Sequence, residues 1–202
     1  MNRIEYKIDI DESKKITFLN FLKINKANYI YKKRLVNSIY FDNNDFEMYF
    51  DSVEGLAPRK KIRLRYYGKY QPNIDNIKML FEKKYTNFLG RSKSSKETNK
   101  FKDYLNTGIL DSKYGICYPK VFVSYLRSYY SLKDFRFTLD ENIKFQKYNN
   151  INNACNYESI KEIIVEIKTN NINKIDELKK KFPFSEIRFS KYCKSIEKLF
   201  KI

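Results

Sequence analysis

Histidine is absent from the chain, as is tryptophan. Without an imidazole, His-dependent catalysis and His-ligated metal sites are excluded. The three cysteines, Cys117, Cys155 and Cys193, are odd in number and far apart. None has the close spacing of a zinc knuckle or redox motif, and a reducing compartment is the simplest setting for them. Five scattered glycines cannot build a Walker-type phosphate loop, which needs them clustered. No apolar stretch approaches the length of a membrane span, and the N-terminus has no apolar segment followed by a small-residue cleavage site. The expected location is therefore cytoplasmic. Acidic residues are scarce too: 24 Asp and Glu stand against 41 Lys and Arg, a formal net charge of +17. Such a balance points to a polyanionic partner such as nucleic acid, anionic lipid or a phosphate-rich ligand.

What the chain does have is a recurring strand pattern, apolar on one face and ionic on the other. In Arg3-Ile4-Glu5-Tyr6-Lys7-Ile8-Asp9 every odd residue is ionic and every even one apolar or aromatic. Lys61-Ile62-Arg63-Leu64-Arg65, Phe135-Arg136-Phe137-Thr138-Leu139-Asp140 and Ile163-Ile164-Val165-Glu166-Ile167-Lys168 repeat the alternation. Successive side chains on a strand point to opposite faces, so each segment builds a row of ions on one side.

Strands are expected at 2–10, 36–41, 59–67, 77–86, 120–130, 134–141, 161–168 and 185–190. Asp11-Glu12-Ser13 should start a helix that buries Ile16, Leu19, Phe21, Leu22 and Ile24. The strands at 59–67 and 77–86 resemble a hairpin around a polar loop near Pro72. The Ser- and Lys-rich segment 90–100 reads as a mobile loop, followed by a helix from Phe101 that stops at Gly108. The Asn-rich stretch 149–156 reads as a loop. A helix carrying Ile172, Ile175 and Leu178 ends before Pro183, and a C-terminal helix carries Tyr192, Ile196, Leu199 and Phe200. No internal repeat or long linker divides the chain, so residues 1–202 are expected to form a single domain. The class is α+β, built mainly on antiparallel pairs with peripheral helices, and about eight strands are enough to close a barrel. If such a barrel turns its apolar faces outward under the helices, the ionic faces line the interior, which is tolerable when wet or filled by an anion.

Like charges on adjacent same-face positions repel one another, so Lys61-x-Arg63-x-Arg65 calls for a counter-charge. Guanidinium matches phosphate oxygens in bidentate geometry, and Lys supplies a compact charge. Glu82-x-Lys84 and Glu166-x-Lys168 place a carboxylate beside a lysine on two separate strands. That pairing suits a hard cation and a phosphate held together, because Mg²⁺ and Mn²⁺ accept one or two carboxylates when phosphates and water complete the shell. A cross-strand salt bridge is the structural alternative for each motif. Phosphoryl transfer depends on positioning, charge stabilisation and metal more than on an acid or base, so the missing histidine does not weigh against it.

Arg3-x-Glu5-x-Lys7, Ser38-Ile39-Tyr40-Phe41-Asp42, Lys61-Ile62-Arg63-Leu64-Arg65-x-Tyr67-Gly68, Glu82-x-Lys84, Pro119 leading to Tyr125-x-Arg127, Arg136-x-Thr138-x-Asp140, Glu166-x-Lys168 and Phe189-Ser190-Lys191-Tyr192 occur in this order. Together they resemble the VTC-type polyphosphate polymerase domain, within the CYTH and triphosphate tunnel metalloenzyme superfamily, over nearly the whole chain. The resemblance implies an eight-stranded antiparallel β-tunnel (barrel) that binds ATP or another triphosphate and polyphosphate with Mn²⁺ or Mg²⁺, and moves the terminal phosphate of ATP to a growing chain. It implies that Lys7, Arg63, Arg65 and Lys191 act on the reacting phosphates. Lys61, Lys84, Lys93, Arg127, Arg136, Lys168, Arg3 and Tyr40 would contact substrate. Glu166 would be the principal metal ligand, with Glu5 and Glu82 assisting.

Where related chains often carry a basic cluster after the Glu-x-Lys strand, this one reads Arg91-Ser92-Lys93-Ser94-Ser95, which leaves Lys93 as the phosphate contact there. Some relatives also carry a phosphate-sensing domain and membrane spans, so any membrane association or product channel is expected to come from a partner protein. Two other readings share the site. A tunnel triphosphatase usually begins Glu-x-Glu-x-Lys, and here Arg3 takes the first Glu position, weakening a two-metal arrangement. A polyphosphate-binding module without turnover is the other. Specific nucleic-acid binding ranks last, because these cations alternate with core residues rather than with exposed aromatics.

Overall fold

A computed structural model describes residues 4–68, 77–148 and 157–202. Arg3, the loop near Pro72 and the stretch 149–156 lie outside the described residues. In chain order the strands are β1 (Ile4–Ile10), β2 (Asn28–Asp42), β3 (Arg59–Tyr67), β4 (Met79–Asn87), β5 (Gly90–Thr98), β6 (Ile109–Asp111), β7 (Gly115–Leu132), β8 (Phe135–Lys147), β9 (Glu158–Ser159) and β10 (Ile163–Thr169). The helices are α1 (Glu12–Ile24), α2 (Glu47–Glu54), α3 (Phe101–Thr107), α4 (Ile175–Lys181) and α5 (Lys191–Phe200), with a short 3-10 turn at Ile172–Lys174 before α4. Eight strands form one hydrogen-bonded path in the order β1-β10-β8-β7-β2-β3-β4-β5, with β6 attached to β7 and β9 to β8. Every ladder with a described register is antiparallel. This is the α+β, eight-stranded antiparallel class that the alternating segments lead one to expect.

The chain gathers into two compact units, each discontinuous in sequence. One comprises Met1–Arg34, Tyr125–Ile143 and Ile160–Phe189, the other Leu35–Ser124, Lys144–Ser159 and Ser190–Ile202. The long strands β2, β7 and β8 contribute residues to both.

In the first unit the apolar face of the sheet forms the core. Ile8 and Ile10 of β1, Ile163, Val165 and Ile167 of β10, and Phe135, Phe137 and Leu139 of β8 pack with Phe18, Phe21 and Leu22 of α1 and with Ile175, Leu178 and Phe182. Asp11 caps α1, its carboxylate accepting from the Lys14 N–H at 2.8 Å. The buried face of α1 is narrower than expected. Phe18, Phe21 and Leu22 are buried at i, i+3 and i+4, and Leu19 packs at the edge. Ile16 and Ile24 are 62% and 79% exposed. Ile16 lies on the side of the helix away from that stripe, and Ile24 is the last helical residue, beyond the stripe's end, so both face water.

In the second unit β3 and β4 form the expected hairpin, with Arg63 opposite Glu82. The segment expected to be a loop is β5, paired along its length with β4, Glu82 opposite Ser95 and Lys84 opposite Lys93. It ends the hydrogen-bonded path, and apart from Gly90 and Thr98 at its ends its residues are exposed. With neither face in the core, no apolar alternation was required, and the sequence signal for a strand was missing. Conversely, residues 185–190 form no strand. Their described ties to β1 are the Ile187 N–H bonded to the Lys7 carbonyl at 2.8 Å and the Lys7 side chain on the Phe189 carbonyl, and a single backbone bond is too little for a ladder. Gly108 stops α3 as expected. Its φ of +83° suits glycine, and a Cβ there would lie 3.0 Å from the Cys117 carbonyl oxygen.

Candidate functional site

The ionic face of the first unit is assembled by strand register. Lys7 pairs with Glu166, which pairs with Thr138; Glu5 pairs with Lys168, which pairs with Arg136. Two rows therefore cross β1, β10 and β8, each mixing cations with a carboxylate. Lys168 Nζ lies 3.5 Å from Glu5 and also contacts the Glu166 carboxylate. Lys7 Nζ donates to the Phe189 carbonyl at 2.7 Å and lies 3.5 Å from Glu5. Burial alone would raise the Glu166 carboxyl, but Lys168, Arg127 and Lys7 outweigh it and hold it well below the usual carboxylate range. Arg127, on β7, is held by Asp140 of β8 through two parallel bonds, Nε to Oδ1 at 2.5 Å and Nη2 to Oδ2 at 2.6 Å. Burial would lower its pKa, yet the Asp140 carboxylate keeps the guanidinium firmly charged.

Two polar atoms on this face have no hydrogen-bond partner among the described residues: Arg136 Nε and Thr138 Oγ1, both buried. Thr138 is 4% exposed. A buried hydroxyl without a partner costs stability and is uncommon in folded proteins. Here both atoms stand in the rows that hold Glu166, Lys7 and Lys168.

The second unit has its own cationic face. Tyr40, Arg63, Glu82 and Ser95 form one row across β2, β3, β4 and β5, and Lys61, Lys84 and Lys93 the next. Glu82 is the hub. One carboxylate oxygen accepts from Arg63 Nε at 2.6 Å and lies 3.7 Å from Arg65 Nη1; the other accepts from Lys93 at 2.5 Å and Ser95 Oγ at 3.2 Å. Burial raises this carboxyl, but Arg63, Arg65 and Lys93 bring it down to about 2. Arg63 Nη1 donates to the Tyr40 hydroxyl at 2.8 Å, and Arg65 Nε to Ser38 Oγ at 3.2 Å. Burial would raise the Tyr40 phenol, but Arg63, Arg65 and Lys191 lower it to about 8. Lys61 Nζ donates to Ser190 Oγ at 2.8 Å, and the same oxygen caps α5 by accepting from the Cys193 N–H at 3.3 Å.

Every sequence-predicted site residue among those described falls into one of these two clusters: Glu5, Lys7, Arg127, Arg136, Glu166 and Lys168 in the first unit, and Tyr40, Lys61, Arg63, Arg65, Glu82, Lys84, Lys93 and Lys191 in the second. The partners of Arg63 and Arg65 include protein atoms, not ligand oxygens alone. Asp140, Thr138, Ser95 and Asp42 were not anticipated as working parts. Asp42 is fully buried, accepts from the N–H groups of Asn43, Met48 and Tyr49, and takes the Tyr192 hydroxyl as well. Tyr192 in turn stacks on Tyr40 with ring centroids 5.3 Å apart. Asp42, Thr138 and Asp140 all occur in the quoted motifs, so the motifs carried the signal without the role.

For a divalent cation the donor set is sparse. Among the described residues no group of three or more Asp, Glu, His or Cys converges. Glu5 and Glu166, joined by Lys168, fit a hard cation only if phosphates and water supply the remaining ligands, as Mg²⁺ and Mn²⁺ allow.

The VTC domain family matches residues 2–114 and 106–200 of the chain. No curated protein sequence matches. Among solved structures, a putative adenylate cyclase from Vibrio parahaemolyticus is similar at 14% identity with a TM-score of 0.56, over 96% of this chain and 98% of that one. A putative adenylyl cyclase from Hippeastrum, reported to have a dominant triphosphatase activity, is similar at 14% identity and a TM-score of 0.59, over 98% of this chain and 96% of that one. A chain of the Schizosaccharomyces pombe Mediator head module is similar at 10% identity and a TM-score of 0.53, over 90% of this chain and 96% of that one.

Proposed function

Because the chain belongs to the VTC domain family, we propose that it binds a nucleoside triphosphate and polyphosphate through its cationic strand faces and transfers the terminal phosphate of ATP to a growing polyphosphate chain. The observation that carries this reading is the buried face around Glu166. Lys7, Lys168, Arg127 and Arg136 stand there against Glu5, Glu166 and Asp140, and Thr138 Oγ1 and Arg136 Nε lack partners among the described residues. A phosphate group has the oxygens to satisfy both atoms and to neutralise the excess positive charge.

In this reading Lys7, Arg127, Arg136 and Lys168 hold phosphate oxygens in the first unit. Arg63, Arg65, Lys61, Lys84, Lys93 and Lys191 do so in the second, and Asp140 and Glu82 fix the guanidinium planes that must meet the ligand. A divalent ion held by Glu166 and Glu5 would supply charge neutralisation on the transferring phosphoryl group. Glu82 is better suited to orienting Arg63 and Lys93 than to holding metal, since both of its oxygens already accept from them. A cytoplasmic setting remains part of the proposal, supported by Cys117 and Cys193, which are both free and buried.

A second reading, polyphosphate binding without turnover, is favoured by the same sparse carboxylate set. Incubating the purified chain with ATP and Mn²⁺ separates them. ADP with long-chain polymer on a gel supports the polymerase, free phosphate a hydrolase, and neither product a binding module. Glu166→Gln should keep metal-free tripolyphosphate binding and reduce turnover to background. Mn²⁺-dependent turnover retained by that variant rules out the metal role.

A further inference from the structure

The β4–β5 hairpin is closed by a two-residue turn, with Asn87 paired to Gly90 and Phe88-Leu89 between them. Asn at the first and Gly at the last position suit a type I turn, whose two central positions need no left-handed backbone, and neither Phe88 nor Leu89 has a positive φ. Here a phenylalanine and a leucine occupy it, 85% and 90% exposed. The Leu89 N–H is tied to the Asn87 side chain at 3.1 Å, so the turn is built and its two apolar groups are presented to solvent. Between Lys83 and Lys96 the hairpin carries five cations and no acidic residue. Its end, at Thr86, Asn87 and Ser92, also lines a half-open cleft of about 620 Å³ whose other walls include Arg59, Lys60 and Lys113, the two lysines being paired with Asp111 and Asp51.

An exposed apolar tip, with unpaired acidic residues absent from the hairpin behind it and a cleft lined by Arg and Lys beside it, has the two chemistries needed to hold a bilayer surface. Apolar groups enter the acyl boundary while Lys and Arg meet anionic headgroups. We infer that the Phe88-Leu89 tip docks this protein directly on an anionic lipid surface, with Arg91 and the Arg59–Lys113 cleft facing the headgroups. Neither tip residue belongs to the phosphate clusters, and the inference does not depend on whether the chain turns over ATP.

The test is sedimentation of the full chain with phosphatidylcholine vesicles, with or without about one third phosphatidylserine. The wild-type chain should pellet with the anionic vesicles, release as salt is added, and stay in solution with the neutral ones. Phe88→Ser with Leu89→Ser should pellet about tenfold less or worse, with an unchanged melting temperature and unchanged tripolyphosphate affinity. Because the chain has no tryptophan, Phe88→Trp places a lone indole at the tip, and its emission should move to the blue on anionic vesicles. The inference is overturned if the wild-type chain ignores anionic vesicles, which would leave the tip to a protein partner. It is equally overturned if the double-serine variant pellets like wild type, or if the indole emission does not move, since binding would then be general charge attraction.

Discussion

Arg127 and Asp140 are joined by two parallel hydrogen bonds, and the Asp140 side chain is wholly removed from solvent. The pair fixes one guanidinium plane on the face that carries Glu166, and it makes Asp140 a positioning residue. Asp140→Ala strands a buried cation, so it should cost about 3–5 kcal/mol of folding stability in urea titration. A loss under about 1 kcal/mol would show that the guanidinium finds other partners.

Thr138 offers a test in which stability and binding move in opposite directions. Thr138→Val keeps the shape and removes a buried hydroxyl that has no partner among the described residues. Folding should gain about 1 kcal/mol or more, while tripolyphosphate affinity falls. Thr138→Ser should restore affinity. A valine variant that binds as tightly as wild type excludes Thr138 as a ligand contact.

Arg63 and Arg65 support the fold as well as the cationic face, through their contacts with Glu82, Tyr40 and Ser38. Alanine at both positions should abolish tripolyphosphate binding in calorimetry and also lower the melting temperature, because Glu82 loses most of its counter-charge. Adding Glu82→Gln to the double variant should recover part of the thermal loss without restoring binding.

Acid should weaken the same hub. The folded-state pKa of Glu82 is depressed from 4.5 to about 2, so its stabilisation is fully present above about pH 4.5 and is lost as pH falls toward about 2. Stability measured across that range should drop less steeply in Glu82→Gln than in wild type.

Tyr40 acts at the other end of the scale. Its phenol is lowered to about 8, so below that pH it is neutral in folded and unfolded chains alike and adds nothing. Between about pH 8 and 10 its ionisation favours the folded state, but it puts a negative charge against Arg63. Tripolyphosphate affinity should therefore decline as pH rises through about 8, and Tyr40→Phe should flatten that decline. An identical pH profile in the variant would remove Tyr40 from the explanation.

The alternating segments determined the strands whose one face is in the core. Ile8 and Ile10, Ile163, Val165 and Ile167, and Phe135, Phe137 and Leu139 announce β1, β10 and β8, and the ionic residues between them are the first cluster. The spacing of Lys61, Arg63 and Arg65 likewise determined that they share a face. Only tertiary structure decided what answers those charges. Edge strand β5 has no core face to write an alternating pattern, yet its pairing with β4 delivers Lys93 and Ser95 to Glu82. Asp140 reaches Arg127 from thirteen residues away in sequence, and Tyr192 reaches Asp42 across 150. Periodicity reports which side of a strand a residue occupies; which neighbour it meets depends on strand order and register, and those are set by the packing of the whole sheet.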